Sequence, residues 1–117
     1  MKFLITLAES DPEAWQRASA EEQERVFAQH RAFDAAVQER GTLLEGAALD
    51  APSTSRTLRL TEGVRSVTEG PYAETAEQMT GVYLVDLPDV ETALEVSRLL
   101  PEGYVIGVHP TVDLSGY

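Results

Sequence analysis

Two histidines and no cysteine define the side-chain chemistry open to this 117-residue chain. His30 is the more informative of the two. Val26, His30, Phe33 and Val37 are spaced four, three and four apart, which places them on one stripe of a helix. A histidine on an apolar stripe has to satisfy both ring nitrogens, because an unpaired buried polar group costs about 1–3 kcal/mol. The neutral ring needs one donor partner and one acceptor partner. That environment suits a general base or acid at the mouth of a pocket between helix and sheet. It equally suits a core ring bonded to a backbone carbonyl. His109, beside Pro110 at a strand end, reads as an exposed terminal residue.

Carboxylates and tyrosines are the other candidates. The run Thr68-Glu69-Gly70-Pro71-Tyr72-Ala73-Glu74-Thr75 is a strand end followed by a glycine-proline break. Such a break aims one aromatic and two carboxylates, Tyr72 with Glu69 and Glu74, in fixed directions. Read as an ordinary loop, it would pack Tyr72 over an edge and use Glu74 as a cap. Other chemistries lack their residues. Without cysteine there is no disulfide, thiolate metal site or cysteine nucleophile. No histidine pair or aspartate ladder has metal-ligand spacing, so no metal is expected. No glycine-rich phosphate loop or nucleophile elbow occurs, and no cofactor is expected.

The elements that must position these residues follow from periodicity. Phe3, Ile5 and Leu7 alternate with Leu4, Thr6 and Ala8 in a strand that is apolar on both faces. Ser10-Asp11-Pro12 breaks it. Ser19-Ala20-Glu21-Glu22 is a capping box, and a helix runs to Arg40 with Gly41 placed for a positive-φ C-cap. Leu43 to about Ala48 is a second strand, followed by the loop Ala51-Pro52-Ser53-Thr54-Ser55. Thr57–Leu60 and Val64–Val67 flank Thr61-Glu62-Gly63 as a hairpin. Gly81–Leu87 is a further strand. Asp89 caps a second helix with Val90, Ala93, Leu94, Ser97 and Leu100 at helical spacing. Tyr104–His109 closes the series. Without the hairpin the order is β-α-β-β-α-β, the split-βαβ pattern of ferredoxin-like α+β folds, in a single domain over 1–117.

Nine basic against twenty acidic residues give a net charge of −11. That balance disfavours phosphate backbones and anionic membranes. No apolar run is long enough to span a bilayer, and the opening residues lack an export signal, so a cytoplasmic protein is expected. Two helices cover only one face of the sheet, yet Phe3/Leu4, Tyr83/Leu84 and Val105/Ile106 put bulky groups on both. A second copy stacked sheet to sheet, giving a homodimer, would cover the other face. The hairpin and tail folding over it would do the same.

Glu69-Gly70-Pro71-Tyr72-Ala73-Glu74-Thr75 resembles the Asp-Gly-Pro-Phe-Ala-Glu-Thr-Lys-Glu signature of the DGPF proteins, a branch of the YCII-related domain family. The likeness extends through Gly81–Asp86, the Pro88-Asp89 helix start, Glu22-Gln23…His30…Phe33 and the opening Met1–Ile5. It implies a dimeric α+β barrel and a helix histidine with an acidic partner, for which His30 is the matching position. Glu69 stands where the family usually has aspartate, Tyr72 where it has phenylalanine and Ala76 where it has lysine. Family members are often encoded near extracytoplasmic-function sigma factors.

The expectation is therefore a small-molecule-binding dimer, with cofactor-independent proton transfer of lyase or isomerase type as its chemistry. His30 would exchange the proton and Glu69 or Glu74 would orient the ring. Tyr72 and Tyr83 would wall the cavity or donate a hydrogen bond. The alternatives are a non-catalytic regulatory or interaction module beside transcription machinery, and a motif loop that only locks the dimer.

Overall fold

The computed structural model describes residues 1–73 and 76–116. Among these residues, six strands and three α-helices follow in the order β1 (Lys2–Glu9), α1 (Ala14–Arg17), α2 (Ala20–Arg40), β2 (Thr42–Ala48), β3 (Arg56–Thr61), β4 (Val64–Glu69), β5 (Gln78–Asp86), α3 (Val90–Ser97) and β6 (Val105–Pro110). A four-stranded antiparallel sheet has the order β2-β5-β1-β6, while β3 and β4 pair only with each other. With the hairpin set aside, the central sheet has the strand order of a ferredoxin-like α+β fold.

The long helix forms where its cap is. The Ser19 hydroxyl accepts from the Glu22 amide at 3.1 Å and donates to the Glu22 carboxylate, so the glutamate returns to the cap hydroxyl rather than to the cap amide. Its C-terminus differs from expectation. Gly41 has φ −176°, ordinary extended backbone. Glycine is needed there for space, because a Cβ would lie 2.0 Å from the Asp86 carbonyl oxygen. The hairpin turns on Glu62 and Gly63, both with positive φ, a two-residue geometry that matches strand twist.

On the helix-covered face, β1 contributes Phe3, Ile5 and Leu7 and β5 contributes Val85. These pack against Phe33 and Val37 of α2 and against Ala93, Val96 and Leu100 in and after α3. The Asp89 carboxylate caps α3 by accepting from the Thr92 amide at 2.8 Å. The inward face of α3 differs from expectation at one residue: Val96 faces the core and Leu94 is exposed. The buried stripe of α3 is Thr92, Ala93, Val96 and Ser97, and Leu94, about 100° beyond Ala93 on the side away from Thr92, falls outside it.

The opposite face of the sheet carries Leu4, Thr6, Leu84, Val82, Gly107 and His109 by register. Neither the hairpin nor the tail buries its apolar groups. Leu58, Leu60, Val64 and Val67 of the hairpin are exposed, as are Val112 and Leu114. Replacing Gly41 by alanine is expected to cost about 1–3 kcal/mol, because the new methyl meets backbone that has no rotamer to yield. Gly103→Ala enters open space and is expected to shift stability by less than about 0.5 kcal/mol. Denaturant unfolding of both variants checks the pair.

Candidate functional site

A cavity of about 710 Å³ opens between the N-terminal half of α2, the short α1, the β2–β3 connection and the adjoining end of the sheet. His30 lies on its wall. The helix stripe that buries Phe33 and Val37 carries His30 one turn further toward the edge, where the ring is half-buried. Both ring nitrogens are engaged. Nδ1 lies 2.6 Å from the Tyr83 hydroxyl and Nε2 lies 3.0 Å from the Tyr104 hydroxyl. Each side chain comes from a different element: His30 from α2, Tyr83 from β5, and Tyr104 from the turn that enters β6.

Packing fixes the Tyr83 ring. Phe33 lies beside it at a centroid distance of 4.6 Å. Across the sheet Gly46 is its register partner, and a Cβ there would come within 2.9 Å of the ring. The missing side chain on β2 is what leaves room for the aromatic. Trp15 of α1, not anticipated from the sequence, meets Phe27 edge-on at 5.2 Å, and both line the cavity. A register shift between β1 and β5 gives Thr80 and Gly81 successive places on the same wall. The Thr80 hydroxyl donates to the Glu9 carboxylate at 3.2 Å.

Burial sets the electrostatics. It pushes the His30 pKa below its ordinary 6.5, and the Asp34 carboxylate, one helical turn away, pulls partly back. Burial raises Tyr83 to about 12, helped by Asp34 and then Tyr104. Tyr104 is raised by burial and by Glu9. Glu9 is raised chiefly by burial, with the Thr80 hydrogen bond opposing and Asp11 adding. Asp34 Oδ1 is shielded from solvent and accepts no hydrogen bond among the described residues.

The neutral ring therefore donates to one tyrosine and accepts from the other. The tyrosine that accepts from the ring N–H keeps its own O–H for a ligand. The one that donates to the bare nitrogen keeps oxygen lone pairs for a ligand proton. Both phenols hold their protons at neutral pH.

The residues expected from sequence divide clearly. His30 and Tyr83 come together directly. Glu69 ends β4, exposed and paired in register with Arg56, and is absent from the cavity lining. Among the described residues, the groups on the His30 ring are Tyr83 and Tyr104, and the expected Glu69 carboxylate is not one of them. Tyr72 is 77% exposed, and its carbonyl accepts from the Arg59 guanidinium. Glu74 lies outside the described residues. His109 is exposed, with Nε2 3.3 Å from the Thr6 hydroxyl on the uncovered sheet face. Tyr104, Asp34 and Glu9 were missed. Asp34 carried a signal, its four-residue spacing from His30. Tyr104 carried none, because its approach to α2 depends on the turn closed by its amide on the Pro101 carbonyl.

The fold and the wall define a small α+β domain with a lined cavity. The chain belongs to the YCII-related domain family, whose profile matches residues 1–109. It is also 39% identical over 90 residues to an uncharacterized protein of Rhizobium meliloti (strain 1021). That match covers 77% of this chain and 70% of the relative. Among the described residues, no helix is long and apolar enough to cross a membrane.

A ring whose pKa is lower folded than unfolded binds protons less readily in the folded state. Its contribution is complete above pH 6.5 and stability is lost as pH falls below that value. NMR titration is expected to place the His30 midpoint below 6.5. The stability difference between wild type and His30→Gln is expected to shift against the wild type on acidification. A midpoint above the ordinary value would contradict the burial argument.

Proposed function

We propose that the chain is a small-molecule-binding protein whose cavity presents His30 for cofactor-independent proton transfer, working as a homodimer. The observation that carries the reading is the imidazole held at both nitrogens by tyrosine hydroxyls on the wall of a cavity of about 710 Å³. A ligand proton passes to the hydroxyl oxygen of the tyrosine that donates to the bare nitrogen, as that tyrosine's own proton moves to the ring. The ligand is left one unit more negative and the ring becomes imidazolium, a form the Asp34 carboxylate favours. The reverse transfer restores both. This is the chemistry of isomerases and lyases that need no cofactor. In this reading Tyr83 and Tyr104 carry the relay, and Glu69 and Tyr72 belong to the hairpin and its exit. The Glu69–Ala73 run supports a place in the DGPF branch.

Surface area supports the homodimer. A compact monomer of 12.8 kDa exposes roughly 6,300 Å², against 8203 Å² here. The radius of gyration is 16.4 Å, where a chain of this length packed as one globule has about 13 Å. The excess area exceeds the roughly 800 Å² that each partner buries in an ordinary stable interface. A second copy of the chain on the uncovered sheet face and the apolar hairpin accounts for it.

Two measurements test the proposal. Light scattering is expected to give twice 12.8 kDa at micromolar concentration, and a stable single subunit would refute the dimer. A screen of small aromatic compounds by chemical-shift perturbation is expected to move the His30, Tyr83 and Tyr104 ring signals. His30→Gln is expected to weaken the hits about tenfold through loss of one donor–acceptor pair. Hits that map elsewhere, or that the variant binds equally, would refute the site.

A further inference from the structure

We infer that the cavity selects a small organic cation, an ammonium group on an apolar body, with Asp34 and Glu9 receiving the charge. The inference rests on the cavity being a ligand site. Its ground is the chemical make-up of the wall. Every formally charged side chain lining the cavity is a carboxylate: Glu9, Glu13, Asp34 and Asp50. Among the described residues, no lysine or arginine lines the cavity. His30, pushed toward its neutral form, supplies no compensating charge near neutral pH.

Asp34 sharpens the argument. Its Oδ1 is buried without a hydrogen bond among the described residues, although it belongs to a carboxylate on the cavity wall. No donor from the protein offsets the charge of this carboxylate at Oδ1, and a cationic ligand at the wall that Asp34 lines would compensate it. The aromatic walls act in the same direction. Trp15, Phe27, Tyr83 and Tyr104 line the cavity, and aromatic side chains suit both a cation and the apolar rest of the molecule.

The relay proposed above adds a chemical reason that rests on that reading. Proton transfer from ligand to ring leaves the ligand one unit more negative. A neutral ligand would become an anion among four carboxylates, whereas one that starts as a cation does not.

The probes are 4-phenylbutylamine, 4-phenylbutanol and 4-phenylbutyrate, which share one skeleton and differ in charge. Trp15 is the single tryptophan and lines the cavity, so its fluorescence reads binding directly. The amine is expected to bind about tenfold or more tighter than the alcohol, and the acid more weakly than either. Asp34→Asn is expected to reduce the preference for the amine while leaving alcohol binding in place, with Glu9→Gln as a second variant that also reduces it. Equal binding of amine and alcohol would overturn the cation inference and leave the cavity reading standing. The same holds if the acid binds tightest, or if neither variant alters the preference. Failure of all three probes to bind would overturn both.

Discussion

A single imidazole joins one helix and two strand segments on the wall of the cavity. His30 sits on α2, and its two nitrogens reach Tyr83 on β5 and Tyr104 at the entry to β6. Buried polar groups are tolerated only when paired, so the ring ties helix to sheet at the edge where apolar packing gives out. Below that level Phe33 and Val37 pack in the ordinary hydrophobic way. Above it the wall is largely apolar with four carboxylates set in it, and the space is open. The boundary between core and cavity is thus set by one helical turn, from Phe33 back to His30.

Much of this was legible in the sequence, for reasons that are local. The capping serine, the stripe on α2 and the Asp89 cap each depend on a few neighbouring residues and fixed periodicities. The order of elements along the chain followed from alternation and from the pattern of turns. The errors were of a different kind. Gly41 serves close approach to the Asp86 carbonyl, a contact between residues far apart in sequence. Leu94 looked like a core position because helical spacing alone does not choose between neighbouring stripes. The short helix carrying Trp15 lies in a stretch marked only as a break.

The candidate site was half legible. His30 stood out because a polar ring on an apolar stripe demands partners, and Tyr83 followed from its strand. The identity of the second partner did not, since Tyr104 reaches the ring only through the pairing of β6 beside β1. The carboxylates that matter electrostatically are Asp34 and Glu9, and the motif loop holding Glu69 drew attention to a different part of the chain. The sheet's uncovered face and the exposed hairpin share one physical origin. Two helices shield one side of four strands and leave the apolar residues on the other side uncovered.

The state of the His30 ring tests the central claim most directly. A long-range proton–nitrogen correlation spectrum at neutral pH distinguishes a protonated from a bare ring nitrogen. The account expects one tautomer, with one nitrogen carrying hydrogen and the other accepting from a tyrosine. It further expects Tyr83→Phe or Tyr104→Phe to shift the signal of the nitrogen that loses its partner. Two nitrogens averaged between tautomers, and unmoved by either substitution, would contradict it.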